Sequence, residues 1–342
     1  MHGPSYMYRE IEEIPHVVKR LLDDEEGAIK TAANLLDDAS PSQIVTFARG
    51  SSDHAATYLK YAFELTQGVP VASIGPSLNS LYGAALRLDS AVCIAISQSG
   101  QSPDIVQSVA AANRSCAGTI SLTNNPKSPI AHASNTVVPL LAGPEQSVPA
   151  TKTFVASLVA GLSMLAHWKK DTELHAALAR LPEALGQSIE TDWPNFRSGL
   201  GDASSLYVLG RGLSFGIALE TALKLKETCQ LHAEAYSAAE VMHGPISVLK
   251  PGFPVLALMS PDAAEAGFRD VCDQLSGMGA RVFSTDRHGE PDTALEFTAT
   301  GHPLTDPISM VVSFYRCVEK LARDQGKDPD QPRHLTKVTE TL

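Results

Sequence analysis

The sequence predicts an α/β protein made of two doubly wound, mostly parallel sheets flanked by helices. Two observations carry that expectation. Short apolar runs alternate with helical patterns along nearly the whole chain, as parallel strands joined by helical crossovers require. The alternation also repeats: Arg49-Gly50-Ser51-Ser52 matches Arg211-Gly212-Leu213-Ser214 at an offset of 162 residues, each match lying between an apolar run and a helix. A length of 342 residues exceeds most single cores and fits two domains of ordinary size.

Taken in order, the pattern predicts a helix from about Pro15 to Leu36. Strands follow at Gln43–Ala48, Val69–Ile74, Ala91–Ile96, Gly118–Leu122 and Thr136–Leu140, with helices between most of them. From Ala150 to about Arg197 the periodicity is helical almost throughout. Within it, Thr153–Trp168 reads as a core helix rather than a membrane span, because no apolar run reaches about 18 residues. The second unit places strands at Leu206–Leu209, Val255–Met259, Arg281–Ser284 and Leu295–Ala299. The expected divisions are therefore a helical segment at 1–40, a first domain at 41–165, a helical linker at 166–198, a second domain at 199–330 and a tail at 331–342.

Composition narrows the class. With 44% hydrophobic, 19% charged and 6% aromatic residues, the chain reads as globular without a low-complexity tract. A net charge of −11 argues against a nucleic-acid partner, and an anionic substrate would need a local site of amides and hydroxyls. The five cysteines, Cys93, Cys116, Cys229, Cys272 and Cys317, are scattered and never form C-x-x-C, which disfavours a disulfide framework or a zinc site. Arg9, Glu10, Glu12 and Glu13 near the start lack the basic-then-apolar pattern of a signal sequence, so none is expected. A cytoplasmic protein with no metal, no cofactor and no membrane partner is expected.

Chemistry concentrates in two stretches. In Leu206–Pro245, an apolar run leads through Gly210 and Gly212 into a helix whose N-cap is expected at Ser214. Glu220, Lys224 and Glu227 then fall at i, i+4 and i+7, on one face, while Lys226 points elsewhere. That spacing fits a solvated ion-pair stripe as well as a catalytic cluster. In Ile96-Ser-Gln-Ser-Gly-Gln-Ser-Pro-Asp104, hydroxyl residues and a glycine join a strand end to a helix start. Backbone N–H groups, hydroxyls and the helix dipole converge there on a phosphate-sized anion, and Ser52 joins from the neighbouring turn.

Ala218-Leu-Glu-Thr-Ala-Leu-Lys-Leu-Lys-Glu227, followed by His232-Ala-Glu-Ala-Tyr-Ser-Ala-Ala-Glu240 and His243-Gly-Pro245, resembles the sugar isomerase (SIS) domain family, as in the isomerase part of glucosamine-6-phosphate synthase. The resemblance runs from Met7 to Lys337 and implies two tandem SIS domains of flavodoxin-like fold. It implies that Ser97, Gln98, Ser99 and Ser102, with Gly50, Ser51 and Ser52, bind the phosphate and neighbouring parts of a hexose 6-phosphate. By the same resemblance, Val148 and Thr151, in Val148-Pro-Ala-Thr-Lys152, would form another wall of the pocket. It further implies that Glu227 moves a proton between C1 and C2, that His243 opens the sugar ring and reaches the site of the adjacent subunit in a homodimer, and that Lys337 forms a Schiff base with the open ketose. By the same resemblance, Glu220 and Lys224 would complete the site by charge and hydrogen bonding.

Four residues depart from the family pattern and bear on specificity: Arg49 for a small residue or cysteine, Gln101 for a glutamate, and Pro149 and Ala150 for small and hydroxyl residues. No glutaminase is expected before the SIS-like part. Arg49-Gly-Ser-Ser-Asp-His-Ala55, Ser97-Gln-Ser-Gly-Gln-Ser-Pro-Asp104 and the tail from Lys337 to Leu342 look most like the SIS-type glucosamine-6-phosphate deaminase. The expected reaction is isomerising deamination of glucosamine 6-phosphate to fructose 6-phosphate and ammonia. An ammonia-dependent synthase, a fructosamine-6-phosphate deglycase and a non-enzymatic sugar-phosphate sensor remain as alternatives.

Overall fold

The computed structural model describes residues 3–286 and 290–337. In chain order, α1 (Tyr6–Asp24) and α2 (Glu26–Ala39) lead into β1 (Gln43–Phe47), α3 (Ser51–Gln67), β2 (Val71–Ser73) and a short α4 (Ser77–Ser80). Then come β3 (Ala91–Ile96), α5 (Pro103–Ala112), β4 (Gly118–Thr123), α6 (Pro129–Ala133), β5 (Thr136–Pro139), α7 (Lys152–Lys169), α8 (Thr172–Glu190) and α9 (Pro194–Leu200). The remaining elements are β6 (Ser205–Gly210), α10 (Leu213–Cys229), β7 (His232–Ser237), two 3-10 turns (Glu240–Met242 and Pro245–Val248), β8 (Pro254–Ala257), α11 (Glu265–Gly277), β9 (Arg281–Ser284) and α12 (Asp306–Asp324).

Chain contacts divide these elements into two compact units. One comprises Glu13–Glu145, Ala150–Pro182 and the described residues 335–337, and holds a parallel sheet in the order β2-β1-β3-β4-β5. Every residue of β3 and β4 is buried, as a parallel sheet covered on both faces demands. Val45, Phe47, Cys93 and Ala95 pack with Ile105 and Val109 of α5, while α7 packs against α2 and α3. Strand order reverses between β1 and β3. Ligands of doubly wound sheets bind outside the carboxyl ends of the strands at such a point.

The other unit comprises 3–12, Gln146–Pro149 and the described residues of Glu183–His334. Its parallel sheet, β7-β6-β8-β9, reverses between β6 and β8. The internal repeat is visible in detail. Helices α3 and α10 are both 17 residues long, and their ends differ by the same 162 positions seen in the sequence match. Each opens at a glycine in nearly one conformation, Gly50 at φ 54°, ψ −134° and Gly212 at φ 58°, ψ −124°. Only glycine adopts that region without strain.

Several boundaries differ from expectation. The single N-terminal helix is two helices, and Pro15 lies inside α1 rather than at its start. The true start is fixed by Ser5 Oγ, which accepts the Tyr8 N–H at 3.0 Å, and by the distant Asp330 carboxylate, which accepts the Tyr6 and Met7 N–H groups at 2.7 Å each. Leu295–Ala299 is not a strand. Only an isolated bridge joins Ser284 to Ala294, β9 stops at Ser284, and the Glu296 carbonyl takes the Trp193 indole N–H at 2.7 Å instead of a ladder bond. Strand β7 carries little sequence signal, because its small Ala233 and Ala235 give a weak apolar alternation. Ser214 is not the N-cap of α10. Its hydroxyl folds back to accept from Arg211 N–H at 3.0 Å and donate to the Arg211 carbonyl at 3.2 Å, and Gly212 is the capping position.

Candidate functional site

Helix α10 leaves β6 through Gly210, where a side chain would collide with the Ser214 carbonyl oxygen at 2.5 Å. The close strand-to-helix turn therefore depends on that glycine. The helix that follows is buried on most sides, which takes Glu220 and Lys224 out of solvent entirely. Lys224 Nζ lies 3.0 Å from Glu220 Oε1 and 2.7 Å from Glu227 Oε2, and Tyr315 of α12 donates its hydroxyl to Glu220 at 3.1 Å. The cluster is thus no solvated stripe, whereas Lys226 is exposed. Burial alone would pull the Lys224 pKa down. The charges of Glu220 and Glu227 and their hydrogen bonds outweigh it and hold the group well above the ordinary lysine range. Glu227 sits at the solvent end of the cluster, its side chain 16% exposed. The result is a fixed carboxylate, oriented from behind by a permanent cation, with one face open.

The loop carrying His243 follows β7 in the same unit. Gly244 adopts φ 129°, a value other residues avoid, and reverses the chain into the second 3-10 turn. Tyr207, buried beneath it, donates its hydroxyl to the Pro245 carbonyl at 2.9 Å and pins the loop to the core. His243 itself is exposed, and among the described residues its side chain makes no hydrogen bond or ion pair. The structure does not tie it to the α10 cluster.

In the five-stranded unit, the turns after β1 and β3 emerge at the reversal point of the sheet. Gly50, Ser51 and Ser52 form the first. The second, Ser97 to Ser102, closes on itself: Ser97 Oγ accepts the Gly100 N–H at 3.1 Å and Ser99 Oγ the Gln101 N–H at 3.3 Å. Asn124 donates its N–H to the Gln98 carbonyl at 3.1 Å. Gly100 has φ 64°, and a Cβ there would lie 2.1 Å from Ser128 Oγ, so this turn also admits only glycine. Ser102 is the N-cap of α5, with Pro103 at its first position. Arg49 connects the two turns, its Nε and Nη2 each 2.6 Å from Oδ2 of the fully buried Asp104. Gln101 is exposed.

Glu145 had no sequence signal and forms the centre of a third cluster. Its Oε1 accepts the N–H groups of Thr151 and Thr153 at 3.1 Å each, at the N-terminus of α7. Its Oε2 accepts the Thr153 hydroxyl and Lys337 Nζ, both at 2.8 Å. Burial would raise the Glu145 pKa, but the charge and hydrogen bond of Lys337, with those of Thr151 and Thr153, hold it below the ordinary glutamate value. The Thr151 hydroxyl is buried with no hydrogen-bond partner among the described residues. Pro149 is buried and Ala150 half-buried. Val148 belongs to the other unit, where its N–H donates to the Asp330 carbonyl at 2.9 Å. The tail residues Val338 to Leu342 lie outside the described residues.

Residues 39–167 and 199–275 match the SIS domain model. The chain is 32% identical to the glutamine–fructose-6-phosphate aminotransferase (isomerizing) of Sulfurisphaera tokodaii, over 98% of this chain and 56% of that protein. It thus spans about half the length of the curated relatives it matches. Among solved structures, a Silicibacter pomeroyi protein provisionally described as a phosphosugar isomerase is 52% identical with a TM-score of 0.92, covering 95% of this chain and 100% of that one. The C-terminal domain of the glucosamine-fructose-6-phosphate aminotransferase of Francisella tularensis is 25% identical with a TM-score of 0.82, covering 96% of this chain and 99% of that one.

Proposed function

The chain belongs to the SIS domain family, and on that premise we propose that it is a phosphosugar isomerase acting on amino sugar phosphates, deaminating glucosamine 6-phosphate to fructose 6-phosphate and ammonia. The observation that carries the reading is Glu227, a carboxylate fixed on a buried helix by Lys224 at 2.7 Å yet open on one side. Moving a proton between adjacent carbons suits one such group, which takes the proton from C2 and returns it to C1 on the same face. Ser97, Gln98, Ser99, Ser102, Gly50, Ser51 and Ser52 are assigned to the sugar phosphate, with Val148 and Thr151 as further wall residues. The Thr151 hydroxyl, buried and without a hydrogen-bond partner among the described residues, supports a polar ligand group there.

The reaction runs in balanced steps. His243 assists opening of the pyranose ring. Glu227 transfers the proton from C2 to C1, which turns the C2 amine into a ketimine. Water adds at C2, ammonia leaves, and fructose 6-phosphate remains. Lys337 is assigned to imine exchange with the open ketose. In the dimer we propose, the exposed His243 serves the neighbouring subunit.

The curated relatives, named as aminotransferases, favour a second reading in which the same residues run towards synthesis. Dissolved ammonia is mostly protonated at neutral pH and is then no nucleophile, which favours release. The test is to incubate the pure protein with glucosamine, galactosamine and fructosamine 6-phosphates and measure ammonia and the sugar formed, then repeat with fructose 6-phosphate and ammonium. Ammonia release from glucosamine 6-phosphate supports the reading; efficient synthesis with negligible release replaces it with the second.

A further inference from the structure

Glu145 is a fully buried carboxylate that none of the proposed chemical steps uses. It accepts four hydrogen bonds, and their sources are uneven. Three come from the first turn of α7, from the Thr151 and Thr153 N–H groups and the Thr153 hydroxyl. The fourth comes from Lys337, 192 positions away in sequence, at 2.8 Å. The helix alone would satisfy a smaller or neutral acceptor, since N-termini are commonly capped by serine, threonine or asparagine. A buried anion is costly to keep, and an accompanying cation offsets that cost most directly. Lys337 supplies that cation from a segment, 335–337, that carries no helix or strand. The other buried cation nearby in sequence, Lys152, is already matched by Glu13.

We propose that Glu145 is a positioning residue: it seats the Lys337 ammonium on the N-terminus of α7 and so fixes where that side chain meets the sugar. The inference rests on the reading of Lys337 as the group that reacts with the ketose. Glu145 touches no substrate in this account and acts through Lys337 alone. The same carboxylate makes α7, a rigid buried helix, the ruler from which the otherwise irregular tail is placed.

Two readouts separate this proposal from the reading beneath it. The first is acylation of Lys337 by an acetylating reagent, followed by mass spectrometry of its peptide, which needs no enzymatic activity. Glu145→Gln keeps an acceptor for the α7 N–H groups but turns an amide towards the lysine. Labelling of Lys337 should rise at least tenfold over wild type, with labelling of exposed lysines such as Lys226 unchanged. The second is borohydride trapping of fructose 6-phosphate on Lys337. Trapping should fall at least tenfold in Glu145→Gln, while the phosphate-dependent KM stays within about threefold and kcat carries the loss.

A double-variant cycle completes the test, because Glu145→Gln added to Lys337→Met should change residual activity by less than twofold. Should Glu145→Gln not fold, Thr153→Val, which removes one hydroxyl from Oε2, is labelled instead and should show a smaller rise in the same direction. Unchanged labelling of Lys337 in the folded variant, or a full additive loss in the double variant, overturns the proposal. Increased labelling with no adduct in wild type keeps the positioning and rejects the Schiff-base reading.

Discussion

Lys224→Met tests whether the α10 cluster is organised as described. The side chain it removes is fully buried between two carboxylates of unequal exposure. Glu227 reaches solvent and loses little. Glu220 is wholly buried and keeps the Tyr315 hydroxyl at 3.1 Å but loses its cation at 3.0 Å. Removing one partner of a buried ion pair costs about 3–5 kcal/mol, because the remaining charge stays out of water. At a urea slope of about 2 kcal/mol per molar, the unfolding midpoint should fall by roughly 2 M. Trp193 belongs to the same unit, is buried, and donates its indole N–H to a carbonyl, so its fluorescence in a Trp168→Phe background reports this unit. Adding Glu220→Gln to Lys224→Met removes the stranded charge and should restore most of the loss. If the double variant is no more stable than Lys224→Met, the loss comes from packing and the electrostatic reasoning fails.

Three further outcomes are expected. Ser99→Ala should weaken sugar-phosphate binding by about 1–3 kcal/mol, as loss of a charge-assisted hydrogen bond does, with unfolding unchanged in a denaturant titration. Glu145 has a folded-state pKa depressed below the ordinary 4.5. Its contribution to stability is therefore present above that value and lost as pH falls through the lower folded value; an acid titration of wild type should show this component, and Glu145→Gln should lack it. If His243 acts across a dimer, mixing inactive His243→Ala and Glu227→Gln chains should restore part of the activity, and failure with hybrid dimers demonstrated would remove the shared site.

Where structure depends on neighbours in sequence, it was legible. The apolar runs at β3 and β9 set both ends of those strands, and the R-G-x-S repeat located two helices with the same glycine-opened turn. The i, i+4, i+7 spacing put Glu220, Lys224 and Glu227 on one face. Its burial was not readable, since Tyr315, 95 positions from Glu220, and the rest of α12 supply it. The start of α1 was hidden for the same reason, its cap lying at Asp330. Arg49 could be singled out as unusual, but its partner Asp104 sits 55 positions on, across the sheet reversal. Glu145 stands alone in a loop, without periodicity or motif, and only the fold brings Lys337 to it.

Proton transfer by Glu227 is tested with glucosamine 6-phosphate deuterated at C2. Ammonia release and the fate of the label are followed for wild type and Glu227→Gln. Wild type should release ammonia with a slowed first step and carry part of the deuterium to C1 of fructose 6-phosphate, while Glu227→Gln binds the sugar but does not turn over. Turnover of Glu227→Gln at the wild-type rate would contradict that role.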